Sequence, residues 1–174
     1  MSRTPARALA AALAALPLTG CHRRAAATVE QARQRLEGVQ LSQSTLGKPA
    51  WDLHAVSATL EDGDKVAVFD APEIAFFKDK KQVSTLTAAG GVMRTDTYDV
   101  TLSTKVVVRG LEEKTTLLTE ELQYSSTRKK FFTDREVVVQ RPGGTLHGRG
   151  MEASPDLSDI RVYNQRTVMQ EAPR

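Results

Sequence analysis

The sequence predicts an all-β domain, a sandwich, barrel or jelly roll, on three observations: apolar residues recur with a period of two, β-branched residues abound, and turn signals come at short intervals. Trp51, Leu53 and Ala55 alternate with Asp52 and His54, and Val100, Leu102, Thr104, Val106 and Val108 alternate with Thr101, Ser103, Lys105, Val107 and Arg109. Leu118, Leu122 and Tyr124 extend the pattern around Glu120, and Val137 and Val139 stand between Glu136, Val138 and Gln140. Residues 51–174 hold 14 Val and 14 Thr, side chains that fit a pleated surface better than a helix. Glu61-Asp62-Gly63-Asp64, Ala71-Pro72, Lys78 to Lys81, Gly90-Gly91, Arg109-Gly110, Ser125 to Lys129 and Pro142-Gly143-Gly144 punctuate the segments. About ten short strands, paired mostly as antiparallel hairpins, follow from that spacing.

Each segment has its own justification. Residues 1–20 read as a removable signal: Arg3 and Arg7 without an acidic residue, then an Ala/Leu-rich run from Ala8 to Leu18. Eleven apolar residues rise about 16 Å as a helix, against roughly 30 Å of hydrocarbon, so the run is too short to span. Leu18-Thr19-Gly20-Cys21 resembles the bacterial lipobox, which implies that Cys21 becomes a lipid-modified amino terminus. Several acyl chains hold such a terminus on a membrane without a spanning helix. Residues 21–46 are then a lipid-anchored tether. Within it Thr28-Val29-Glu30-Gln31 fits a capping box, and a short helix over 29–37 ends at Gly38. Residues 47–164 are the β domain, and the polar stretch 165–174 is a frayed tail.

Composition excludes several chemistries. One cysteine in the chain permits no internal disulfide, Cys-rich zinc site or Cys-x-x-Cys pair. Loss of Arg3 and Arg7 lowers the formal net charge from +3 to +1, which removes bulk electrostatics as a case for nucleic-acid binding. His22, His54 and His147 have no ligand partners at metal spacing. Asp62-Gly63-Asp64 lacks the further oxygens of a calcium loop. Glu112-Glu113 and Glu120-Glu121 are strand neighbours that face opposite sides and cannot share a proton. Gly148-Arg149-Gly150 lacks the third glycine of a dinucleotide loop. No catalytic constellation, metal site or cofactor is expected.

The order of short motifs is more specific than any one of them. Gly47 to Ala55 (Gly-Lys-Pro-Ala-Trp-Asp-Leu-His-Ala), Val68-Phe69-Asp70-Ala71-Pro72, and Phe76-Phe77-Lys78-Asp79 come first. Leu117 to Tyr124, Phe132-Thr133-Asp134-Arg135-Glu136-Val137, and Leu146 to Ala153 follow. In this order they resemble the LptC-type lipopolysaccharide-export proteins, the LptC/OstA-like family, over residues 38–163. Two departures stand out. Many members hold the inner membrane with one transmembrane helix where this chain has a lipobox, and His22 follows Cys21 where some inner-membrane lipoproteins have aspartate.

The resemblance implies an open β-jellyroll whose two-sheet groove carries lipopolysaccharide and performs no covalent chemistry. It implies receipt from an inner-membrane ABC transporter of the LptBFG type and delivery to an LptA-type periplasmic bridge protein. The protein would be periplasmic and lipid-anchored, at the inner membrane. Leu53, Phe69, Ile74, Phe76, Leu86, Leu102, Val106, Val108, Leu122, Phe132, Val137 and Val139 are the expected lining. Phe69 rests on its match to Phe-x-x-Pro, since Val66 and Val68 alternate to the other face. Sheet continuation would use an N-terminal edge at Trp51 and Leu53 and a C-terminal edge at Leu157, Ile160 and Val162. A carrier of another envelope lipid, and a structural lipoprotein with a closed core, remain as alternatives.

Overall fold

The computed structural model describes residues 33–61 and 65–168. These residues form strands and turns, with no helix among them. The strands are β1 (Arg33–Thr45), β2 (Lys48–Glu61), β3 (Val66–Asp70), β4 (Glu73–Lys78), β5 (Lys81–Thr87) and β6 (Gly90–Arg94). They continue as β7 (Val100–Gly110), β8 (Thr115–Ser125), β9 (Lys130–Arg141), β10 (Gly144–Ala153), β11 (Ile160–Val162) and β12 (Arg166–Val168). All belong to one antiparallel sheet, consistent with the open β-jellyroll.

β2 divides its partners. β1 runs along one side, while on the other side Trp51–His54 pair with β4 and Ser57–Glu61 pair with β3. β7 divides in the same way, its first half on β6 and its second on β5. The strands β2, β3, β6, β7, β5 and β4 therefore close a ring. From β7 a meander of β8, β9 and β10 leads away, and β11 and β12 both pair with the far side of β10.

Both divisions lie on one line of backbone corners. Ala71 has φ 46° and precedes Pro72, which cannot donate to a ladder, so β3 and β4 separate there. The next corners lock onto it: Ala71 N–H donates to Ala89 C=O (2.9 Å), Ala88 N–H to Pro72 C=O (3.2 Å), and Ala89 N–H to Thr104 C=O (2.9 Å). Thr104 and Lys105 both have positive φ, 65° and 54°, at the bulge in β7. β9 continues the line with an extra residue against both neighbours, opposite Thr119–Gln123 of β8 and opposite Gly150 of β10, whose φ is 80°.

The line folds the sheet on itself. Phe76 of β4, on one side of it, packs edge-on against Tyr124 and Phe131 of β8 and β9, on the other, with ring centroids 5.0 and 5.1 Å apart. Such aromatic pairs contribute about 0.5–1.5 kcal/mol each beyond the area they bury. The loop after β10 closes the same seam: Leu157 is buried against Gly110, and the Ser84 hydroxyl donates to Pro155 C=O at 2.5 Å.

Several expectations change here. The capping-box helix over 29–37 is strand from Arg33 onward, because β1 pairs with β2 along its length from Arg33↔Glu61 to Thr45↔Lys48. Its ladder outweighs the thin apolar stripe of Val29, Ala32 and Leu36. The second half of the presumed tether is thus part of the sheet. Within the presumed tail, Arg166–Val168 pair with Thr145–His147. Residues 1–32, 62–64 and 169–174, with the signal, Cys21, His22 and the Asp62-Gly63-Asp64 turn, lie outside the described residues.

Strand parity supplies two further corrections. β9 keeps its parity through the corner, Thr133 and Val137 both facing inward, so Phe131 is buried and Phe132 faces outward beneath the Arg128 guanidinium. β8 loses its parity at the bulge, so Leu117 faces inward with Leu122 and Tyr124, and Leu118 faces out. Phe131→Ala should cost about 3–5 kcal/mol of stability. Phe132→Ala should cost about 1 kcal/mol or less, mostly its cation–π contact. Urea unfolding midpoints of the two variants check the register.

Candidate functional site: the inward apolar rows

Cross-strand register assembles the inward side chains into rows. On one side of the fold line Leu41, Leu53, Ile74, Leu86, Val108, Leu117, Val139 and Leu146 stand directly opposite one another in succession. This row is apolar throughout. It runs from the β1 edge to β10 without a polar interruption. On the other side the row is Leu60, Ala67, Met93, Val100, Tyr124, Phe131, Ala153 and Ile160. Phe69, Leu102 and Leu122 belong to a third row between them.

The middle of each row is closed and its ends are open. Leu53, Leu86, Val108 and Leu117 are fully buried at 0% exposure, whereas Leu41, Leu146 and Ile160 are half-buried. Of the twelve residues expected to line a groove, eleven are buried at 3% exposure or less, and only Phe132 falls on the outer face. Leu117, Phe131 and Met151 are inward residues that sequence periodicity missed. A parity break at a bulge has no compositional signature in β8, although Gly150 marks the one in β10.

Two cavities adjoin the rows. One, of about 380 Å³, opens between the β1–β2 turn, the end of β4 and the β8–β9 turn. Phe76, Phe77, Tyr124, Pro49 and Pro155 line it, and Lys48, Lys129 and Asp79 stand at its rim. Lys48 Nζ donates to Asp79 Oδ1 at 3.0 Å. Burial, and secondarily the charge of Asp99, push the Tyr124 phenol up to about 12, so it is neutral at physiological pH. The other cavity, of about 340 Å³, lies beside β9 and β10, lined by Val139, Pro142, Leu146, Ile160, Val162 and Gln165. Among the described residues no cluster of His, Cys, Asp and Glu could hold a metal ion.

The edge expected at Trp51 and Leu53 moves by one strand. Trp51 and Leu53 are buried on β2, which is hydrogen-bonded to β1 on one side and β4 on the other. The edge at that end is β1, which among the described residues pairs with β2 alone. Leu157 is not an edge residue either; it plugs the core from the 154–159 loop at 1% exposure. Ile160 and Val162 do lie on an edge strand. Asp159 and Tyr163 are bonded inward, to Ser154 and Gly150, so by alternation the Ile160 and Val162 amides project away from β10.

A family model described as lipopolysaccharide-assembly, LptC-related, matches residues 26–170. The chain belongs to this LptC family. That family is a component of lipopolysaccharide transport in the cell envelope. No curated protein matches the chain. Among the described residues no helix is long and apolar enough to cross a membrane.

Asp156 holds down the loop whose Leu157 plugs the core. Partial burial raises its carboxyl, but donors from Ser154, Lys78 and Ser158, with the Ser158 N–H, outweigh that and hold it far below the ordinary carboxylate range. The Lys78–Asp156 pair, at 2.9 Å, ties the loop to the end of β4. A carboxyl depressed in the folded state contributes stability that is complete above about pH 4 and declines as pH falls through its folded value. Asp156→Asn should cost about 2 kcal/mol at pH 7, and its stability should fall less than the wild type's on going to pH 3. Urea titrations at the two pH values measure both effects.

Proposed function

We propose that the chain is a non-enzymatic carrier that holds lipopolysaccharide acyl chains against its inward apolar rows during envelope assembly. It receives its cargo from an LptBFG-type ABC transporter of the inner membrane. It passes the cargo to an LptA-type β-jellyroll bridge. A lipid on Cys21 holds it at the membrane, with the domain in the periplasm. The observation that carries this reading is the eight-residue row from Leu41 to Leu146, apolar throughout and half-open at both ends.

The physical demand on such a carrier is a low barrier to entry. An acyl chain that slides between the two sides of the folded sheet replaces contacts between side chains with contacts to methylenes, apolar for apolar, so little hydrophobic free energy is at stake. At the rim of the first cavity Lys48 is paired with Asp79, and the Lys129 ammonium group gives anionic headgroup phosphates a cationic contact beside the Phe76 and Tyr124 rings. Transfer without chemistry needs no more than this.

The closed interior favours one competing reading, a structural envelope protein with an ordinary core. Photo-crosslinking in cells separates the two. A benzophenone side chain at Phe69, Val137 or Leu146 should give lipopolysaccharide adducts, and one at the exposed Arg109 should give none. Absence of adducts at every position, with the protein folded and membrane-bound, would establish the structural reading. An adduct with a different lipid would reassign the cargo.

Docking by sheet continuation has its own test. Ile160→Pro removes an outward donor at the β11 edge without touching a bond to β10. Its affinity for the bridge protein should fall by about tenfold, measured by biolayer interferometry, while the unfolding midpoint changes little. Wild-type affinity in this variant would exclude β11 as the docking edge.

A further inference from the structure

β11 and β12 lie end to end along one edge of β10, and they are held unequally. β11 is fixed by side chain and backbone: Val162 is 6% exposed, Tyr163 N–H donates to Gly150 C=O at 2.9 Å, and Arg149 N–H donates to Tyr163 C=O at 3.0 Å. Gly148 makes this close approach possible, since a Cβ there would collide with Val162 Cγ1 and Tyr163 O. Asn164 then adopts φ 45°, an uncommon conformation for a residue with a side chain. Beyond it the hold changes character. Gln165 and Arg166 are exposed, and Arg166–Val168 meet Thr145–His147 as a ladder of only three residue pairs.

Gln165 connects this short ladder to the apolar path. Its Nε2 donates to Val162 C=O at 2.6 Å, and its side chain lines the cavity that Leu146, Ile160 and Val162 also line. Leu146, at the end of the long row, pairs with Thr167 through the backbone. Residues 165–168 thus cover the β10 edge and the end of the row together.

We propose that residues 165–168 are an exchangeable strand, a latch whose place on β10 is taken by the edge strand of a partner protein. This rests on the sheet-continuation reading above. β11 alone offers a partner the outward amides of Ile160 and Val162, a short ladder for stable docking. Displacing β12 frees the Thr145–His147 edge as well, and it exchanges one set of backbone hydrogen bonds for another at small net cost. The same displacement carries Gln165 away from the cavity beside Leu146, so docking and opening of the apolar path become one event.

The test uses the chain alone, without lipid or partner, so its failure leaves the carrier reading standing, and failure of sheet continuation is read separately from the Ile160→Pro variant. A chain ending at Asn164 is compared with the full chain by hydrogen–deuterium exchange and by binding of a fluorescein-labelled peptide of residues 164–174. In the truncated chain, exchange across residues 144–150 should accelerate about tenfold, and the peptide should bind saturably and restore protection. The full chain should capture little peptide, and a peptide carrying Thr167→Pro and Val168→Pro should bind neither form. If the truncated chain does not fold by near-ultraviolet circular dichroism, the same Pro pair in the full chain serves instead, with the wild-type peptide as probe. Unchanged exchange, or equal peptide capture by full and opened chains, would overturn the latch.

Discussion

The line of corners across mid-sheet is the constraint on which the rest depends. Ala71-Pro72, Ala88-Ala89, Thr104-Lys105 and Gly150 each interrupt a ladder, and the first three are bonded to one another. Without them the long strands β2 and β7 would pair along one partner each, and the sheet would stay open and flat. With them, each of these strands serves two partners, the ring of six strands closes, and the two sides of the sheet come face to face. Left-handed backbone at Ala71, Thr104 and Lys105 costs free energy locally. The aromatic contacts of Phe76 with Tyr124 and Phe131, and the burial of the inward rows, offset that cost.

The fold class was legible because period two survives within each half-strand. Val100, Leu102, Val106 and Val108 all face inward as the alternation predicts, since two left-handed residues inserted in β7 leave its parity intact. The same reading fails at Leu117 and Leu118, where the register shift against β9 moves the parity of β8 by one and nothing in the composition announces it. Phe131 and Phe132 are adjacent and equivalent by hydropathy, so only the register with Tyr124 and Ala153 chooses between them. The helix expected before Gly38 failed for a different reason. Capping residues give a local preference, and a ladder thirteen residues long overrides it.

The candidate site was legible as a set of residues but not as a shape. Apolar alternation identified Leu53, Val100, Leu102, Val106, Val108, Leu122, Val137 and Val139 as inward, and Phe69 came from its match to the family's Phe-x-x-Pro. Alternation could not order them into rows, because rows depend on the pairing of β2 with β4 and of β7 with β5, strands that are not neighbours in the chain. Nor could it find the edges, since Trp51 and Leu53 have the look of a first strand until β1 is seen to precede them. Family membership points to lipopolysaccharide transport.

The tie between the 154–159 loop and the end of β4 bears on the order in which the chain assembles. Lys78 and Asp156 are 78 positions apart, and Ser84 and Pro155 are 71 apart. The β7–β10 meander, by contrast, is built from successive hairpins with local contacts. Contacts between distant positions carry a larger loop-closure cost. The plug also follows β1 to β10 in the chain, and until the 154–159 loop is made the seam beside β4, β5 and Gly110 has no cover. A nascent molecule passes through an interval in which its apolar interior is bare along that seam, so its maturation is a race between closure by its own loop and capture by another apolar surface.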